Sequence, residues 1–270
     1  MSEGFIELPI YQVDAFASGV FSGNPAAVVP LKVWLPDNVM MAIAAENNLS
    51  ETAFFIEEKE RYALRWFTPS AEVDLCGHAT LATAHVLFSE LGYERESIAF
   101  ETRSGELIVR RNGDGYVMDF PASQTKETGS SAAVTEALGC APVSLRDGTY
   151  AMAVYDDETQ VAALTPNFDA VSKLPWWGVI ATAPGTNCDF VSRFFAPAKS
   201  IPEDPVTGSA HCLLAPYWSE RLGKTNLLAR QISKRGGEIG CAVRGDRVEL
   251  SGRAALYMTG TIHLRKETME

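Results

Sequence analysis

Glu203-Asp204-Pro205-Val206-Thr207-Gly208-Ser209-Ala210-His211 puts a carboxylate, a rigid proline and a Gly-Ser step immediately ahead of an apolar run with helical character. The first N–H groups of a helix have no partner within it, and the helix dipole makes that end positive, so such a start suits an anion. The same device stands earlier, where Asp74-Leu75-Cys76-Gly77-His78-Ala79 leads into Thr80-Leu81-Ala82-Thr83-Ala84-His85-Val86-Leu87-Phe88.

The flanking residues repeat as well. Arg193-Phe194-Phe195-Ala196-Pro197 echoes Arg65-Trp66-Phe67-Thr68-Pro69 at an offset of 128, and Gly208-Ser209-Ala210 echoes Gly77-His78-Ala79 at 131. Leu222-Gly223 follows Leu91-Gly92 at 131, and Gly237-Glu238-Ile239 follows Gly105-Glu106-Leu107 at 132. Four ordered matches at a near-constant offset read as a tandem duplication of domain size. Two halves of one fold are expected, facing each other across a cleft that holds both helix starts.

Between these landmarks the chain alternates strands and helices. Tyr11–Phe16 and Ala26–Val29 read as strands around a Ser22-Gly23-Asn24-Pro25 break, and Leu35-Pro36-Asp37 opens a helix that ends near Asn48. Leu49–Ile56 reads as a strand with Glu51 on the face of Leu49, Ala53 and Phe55, and desolvation there favours a neutral carboxyl. Leu64–Pro69 follows. The helix from Gly77 to Gly92 is apolar nearly all round and must be wrapped, with strands near 98–101, 106–111 and 116–120 as the wrapping. A polar stretch from Ser123 to Ser131 marks the boundary, giving domains 1–122 and 123–270, with a last strand near 255–266 that could return to the first. In the second half Val134–Gly139 reads as a helix, and Tyr150–Tyr155, Val161–Leu164 and Trp177–Ala183 as strands. Pro216 should kink or shorten the second apolar helix, at about 3 kcal/mol unless compensated.

Composition narrows the function. With 270 residues, 46% of them hydrophobic, and a net charge of −11, the chain is globular and a poor match to nucleic acid or anionic membrane. A small-molecule partner remains. The start, Met1-Ser2-Glu3-Gly4-Phe5, lacks a signal-peptide pattern, and five scattered cysteines without Cys-x-x-Cys fit a reducing compartment, so a cytoplasmic location is expected. No metal is expected either, because His78, His85, His211 and His263 match no standard ligand spacing.

Asn24 in Ser-Gly-Asn-Pro-Ala-Ala-Val-Val, Glu51 in Asn-Leu-Ser-Glu-Thr-Ala-Phe, His78 in Cys-Gly-His-Ala-Thr and Asp204 in Glu-Asp-Pro-Val-Thr-Gly-Ser-Ala together resemble the phenazine biosynthesis PhzF-like isomerases, in particular the phenazine biosynthesis-like domain-containing branch. The resemblance spans essentially the whole chain. It implies the α+β diaminopimelate epimerase-like fold: two similar pseudo-symmetric domains, each a β-barrel-like mixed sheet around a central helix, commonly in a homodimer. It also implies cofactor-free proton transfer on a small carboxylate-bearing metabolite. Glu51 then moves the proton, His78 and Asp204 orient substrate or aid the transfer, and Asn24, Gly77, Gly208 and Ser209 contribute to binding. An isomerase of this kind needs one group that takes and returns a proton, and donors aimed at the developing charge.

Each residue alone fits a plainer role. Glu51 also suits a salt-bridged strand carboxylate, His78 a helix-start residue, Asp204 an Asp-Pro turn and Asn24 a turn tip. His85 and His211 carry no functional signal, and Ser209 lacks a nucleophile elbow. Cys76 leaves an alternative open. Racemases and epimerases of the same fold use a cysteine before each paired glycine, and Cys76-Gly77 matches that position while the second copy has Thr207-Gly208. A Cys76-dependent racemase, epimerase or dehydratase is therefore the second enzymatic reading, and an inactive protein-binding scaffold the third.

Overall fold

The computed structural model describes residues 5–265; the chain start read for a leader and the final residue of the expected last strand lie outside that range. Strands β1 to β8 span Phe5–Ala15, Asn24–Leu31, Glu51–Glu58, Arg61–Phe67, Glu72–Val73, Ser97–Thr102, Gly105–Asn112 and Gly115–Pro121. Strands β9 to β13 span Lys126–Thr128, Ser144–Asp147, Ala151–Val154, Val179–Pro184 and Phe190–Ala196, and β14 to β18 span Ile201–Asp204, Asn226–Gln231, Gly237–Arg244, Arg247–Gly252 and Ala254–Arg265. Helices α1 to α6 are Asp37–Asn47, Gly77–His85, Ala132–Leu138, Glu158–Ala163, Phe168–Ser172 and Gly208–Leu222. The chain divides into two compact units, one running to Met118 and taking back the residues from Arg253 on, the other Asp119–Gly252.

Within unit 1 the strands lie in the order β18, β1, β2, β3, β4, β6, β7, β8, and within unit 2 in the order β9, β10, β11, β12, β13, β15, β16, β17. Both runs are antiparallel except at the third and fifth pairings, β2 with β3 and β4 with β6 in one, β11 with β12 and β13 with β15 in the other. The architecture is thus α+β, with one mixed-sheet topology built twice. The C-terminal β18 completes unit 1 in the place that β9 fills in unit 2.

Each sheet is covered on both faces. In unit 1, Val39, Met40 and Ile43 of α1 pack with Phe54 and Ile56 of β3, while α2 lies against β1, β2 and β3 on the other side. Every residue of α2 from His78 to Ala84 is buried, as its all-round apolar pattern requires. In unit 2, Val134, Val161 and Val171 of α3, α4 and α5 cover one face, and α6 packs on β15, β16 and β17. The expected strand at Val161–Leu164 is instead the end of α4, whose start is capped by Asp157. A side-chain oxygen that satisfies an orphan N–H at a helix start outweighs a short apolar run.

The duplicated pieces share local chemistry. Arg65 makes two 2.7 Å hydrogen bonds to Glu72, and Arg193 binds Glu203 at 2.7 and 2.9 Å, each guanidinium also lying over a phenylalanine of its own strand. Pro216 does not shorten α6, which runs unbroken over 15 residues. The Cys212 carbonyl that Pro216 cannot serve accepts from the Ser123 N–H at 2.9 Å. At the matching point of the first helix, directly after His85, the winding loosens into a π-turn over Val86–Glu90, closed by Leu91 N–H to the Val86 carbonyl at 2.9 Å.

Candidate active site

Strand β3 and the start of α2 bring three of the predicted residues together. Period-two geometry turns Glu51 away from the Phe54 and Ile56 face and toward α2. There its Oε2 meets His78 Nε2 at 3.1 Å. On the other edge of the ring, His78 Nδ1 lies 3.5 Å from Cys76 Sγ and 3.3 Å from the Asn24 amide nitrogen. Glu51, Cys76, His78 and Asn24 are all buried, the most exposed at 9%. Asn24 pairs with Ala15 at the start of β2, and Glu51 with Ala26 at the start of β3, so neighbouring strand ends deliver both.

The charges follow from this packing. Burial works against an imidazolium, but the neighbouring Cys76 and Glu51 outweigh it and raise the His78 pKa well above its ordinary value. Burial, reinforced by Glu51, pushes the Cys76 thiol up to about 11. The packing therefore favours the protonated form of both the His78 ring and the Cys76 thiol. The Asn24 amide can meet either form of the ring, since a half-turn exchanges its donor and acceptor ends. Trp66, opposite Ala53 and so on the Glu51 face, keeps a buried indole N–H with no hydrogen-bond partner.

Unit 2 carries a different polar cluster at the corresponding helix start. Thr207 Oγ1 donates to Asp204 Oδ2 at 2.5 Å, and Ser209 Oγ and Tyr150 Oη share a hydrogen bond of 2.8 Å. Gln231 clamps the loop: its amide oxygen accepts from Thr207 N–H at 2.9 Å, while its amide nitrogen donates to the Asp204 carbonyl at 2.7 Å. His211 Nδ1 donates to the Thr207 carbonyl at 2.7 Å, and full burial lowers its pKa to about 4, so it stays neutral. Helices α3, α4 and α5 are capped by the side chains of Ser131, Asp157 and Asn167, whereas α2 and α6 begin at Cys76 and Thr207 without a side-chain cap.

Strand register identifies the counterparts. Thr52 faces Phe67 as Val179 faces Phe195, the two phenylalanines being equivalent in the repeat, so Gly178 stands where Glu51 stands. A Cβ at Gly178 would lie 2.6 Å from the Phe194 ring and 3.1 Å from that of Tyr150. Aromatic rings thus occupy in unit 2 the space that the carboxylate takes in unit 1.

Asn24, Glu51, Cys76 and His78 form one cluster, with Gly77 in the first turn of α2; Asp204, Gly208 and Ser209 gather at α6. Gln231 and Tyr150 were not apparent from sequence, because neither lies in a motif and both reach the α6 start through strand pairing. The expectation of no metal rested on the spacing of the cysteines and histidines along the chain. Glu51, Cys76 and His78 each offer a donor atom, all within 4.8 Å of one another, a set that spacing cannot reveal when one member comes from another strand. Among the described residues, no helix is long and apolar enough to cross a membrane.

Comparison with known proteins places this geometry. Residues 13–260 match the family model described as phenazine biosynthesis-like protein. An uncharacterized isomerase of Pseudomonas aeruginosa is 54% identical over 259 residues, covering 96% of this chain and 100% of the relative. A phenazine biosynthesis-like domain-containing protein of Bos taurus is 40% identical over 286 residues, covering 95% and 99%. Among solved structures, a PhzF family protein of Enterococcus faecalis superposes with a TM-score of 0.94 at 48% identity, over 96% of this chain and all of that one.

Proposed function

The chain belongs to the phenazine biosynthesis-like PhzF family, and from that premise we propose that this isomerase moves a proton on a small carboxylate-bearing metabolite, with Glu51 as the acid and base. The single observation that carries the reading is the Glu51–His78 contact of 3.1 Å inside a buried polar cluster. A carboxylate that takes a proton from carbon and returns it elsewhere needs a neighbour that holds it in place and steadies its charge. His78 does both. Asn24 orients the His78 ring, and the uncapped first turn of α2 supplies N–H donors for an anionic group. Asp204, Gly208 and Ser209 are assigned to substrate binding and orientation, with no cofactor taking part and a homodimer as the working assembly.

The unit 2 counterparts of Glu51 and Cys76 are Gly178 and Thr207, and the Thr207 hydroxyl donates its proton to Asp204. That asymmetry supports a single shuttle over a two-base racemase built on Cys76. The test is incubation with a metabolite extract in deuterated water. The reading expects at least one carboxylate-bearing metabolite to gain one enzyme-dependent deuterium in the mass spectrum; no label in any metabolite would favour the scaffold instead.

A further inference from the structure

The Glu51, Cys76 and His78 donors have a second chemical capacity. We propose that these three side chains form a binding site for a thiophilic divalent cation, with Zn2+ the best fit, and that a cation held there stops the proton shuttle. A thiolate, an imidazole and a carboxylate are the donor types that select Zn2+ over the hard cations Mg2+ and Ca2+. Three protein ligands also match the open, water-completed tetrahedral sites of zinc proteins.

The geometry is close to what such an ion requires. Tetrahedral Zn2+ with ordinary bond lengths sets its ligands roughly 3.3–3.7 Å apart. The donor atoms here lie within 4.8 Å of one another, with Glu51 at Nε2 and Cys76 at Nδ1 of the His78 ring, so binding requires side-chain rotations that bring both to one ring nitrogen. Two rigid elements hold them, the first residue of β3 and the Cys76-Gly77-His78 start of α2. Glu51 Oε2 and His78 Nε2 are buried against each other at 3.1 Å as an ion pair, and neither atom makes an aligned hydrogen bond. The Asn24 amide at His78 Nδ1 is the kind of outer partner that orients a ligating histidine. Binding exchanges the Cys76 thiol proton and one proton of the His78 imidazolium for the cation, and both protons leave to solvent.

The site stands on the donor geometry alone; only the effect on turnover rests on the Glu51 reading. The experiment titrates the reduced full-length chain with CoCl2 in the absence of air and follows the thiolate-to-cobalt charge-transfer band, then displaces the cobalt with ZnCl2. A band saturating at one equivalent is expected. It should vanish in Cys76→Ser and persist when Cys140 and Cys188 are both changed to serine. In His78→Gln the affinity for Zn2+ should fall at least ~100-fold, the upper end of what losing even an outer-shell partner costs. Independently of any variant, ZnCl2 should protect Cys76, and not Cys140, from iodoacetamide in peptide mapping. No band in the unmodified chain, a band that survives Cys76→Ser, or alkylation of Cys76 unchanged by ZnCl2 overturns the site. Cobalt bound at Cys76 with deuterium exchange unimpaired upholds the site and overturns the Glu51 shuttle.

Discussion

Replacing Glu51 with Gln keeps the size of the side chain and removes the partner of a buried imidazolium, so its effect on stability should depend on pH. At 3.1 Å the Glu51–His78 attraction is about 5 kcal/mol for an effective dielectric constant of about 20, before the desolvation of both groups is set against it. Glu51 and Cys76 raise the folded-state pKa of His78 above its unfolded value against the opposing effect of burial. A raised histidine pKa contributes stability that is fully present below the unfolded value near 6.5 and is lost as pH rises through the folded value. Glu51→Gln removes the part of that contribution that Glu51 supplies, Cys76 supplying the rest. At pH 5 the loss should approach the ~3–5 kcal/mol typical of a broken buried pair, or about 6–20 °C in Tm at about 2–4 °C per kcal/mol. The gap should narrow steadily toward alkaline pH, where the wild-type ring also becomes neutral. Scanning calorimetry from pH 5 to 9, together with an NMR titration of the His78 ring, measures both sides. A Tm difference independent of pH, or a His78 pKa no lower in the variant, would refute the pairing.

Other consequences can be checked separately. In Gln231→Leu, the Thr207 N–H and the Asp204 carbonyl lose their clamp, and calorimetry should find a cost of about 1–3 kcal/mol for each buried group stripped of its partner. Gly178→Ala forces a methyl against Phe194 and Tyr150 and should lower stability by about 1–3 kcal/mol, whereas an unchanged Tm would mean that the rings do not fill that space. His211, neutral in the fold with a pKa of about 4, should make stability fall by about 3 kcal/mol as pH drops from 6.5 through 4, and His211→Leu should flatten that slope in urea titrations. Because burial holds the Cys76 thiol near 11, iodoacetamide should modify it far more slowly than a free thiol at pH 7.5; fast labelling would place the sulfur in a more open setting.

Much of this architecture was legible because the duplication preserves side chains that meet local physical demands. The Arg-aromatic-Phe-x-Pro strands, the glycines that open α2 and α6, and the all-apolar central helix each declare their structure in a few neighbouring residues. Glu51 was visible as a carboxylate in an apolar alternation, and His78 as the residue after a helix-opening glycine. What could not be read is what strand pairing assembles. Nothing near Gln231 points to Thr207, which it meets 24 positions away, and nothing near Gly178 marks it as the counterpart of Glu51. Pro216 read as a helix breaker because its compensation comes from Ser123, outside the helix. Val161–Leu164 read as a strand because the short run was weighed without the Asp157 cap ahead of it.

The central claim is that Glu51 alone carries the proton, and deuterium incorporation by three proteins side by side tests it most directly. Wild type, Glu51→Gln and Cys76→Ser would be incubated in deuterated water with the labelled carboxylate found in the extract, and the rate of single-deuterium gain followed by mass spectrometry. General acid–base catalysis by one side chain is worth about 10²–10⁴-fold, so Glu51→Gln should slow exchange by that factor while Cys76→Ser stays within a few-fold of wild type. Exchange that survives in Glu51→Gln and disappears in Cys76→Ser would contradict the account and put the thiol in the carboxylate's place.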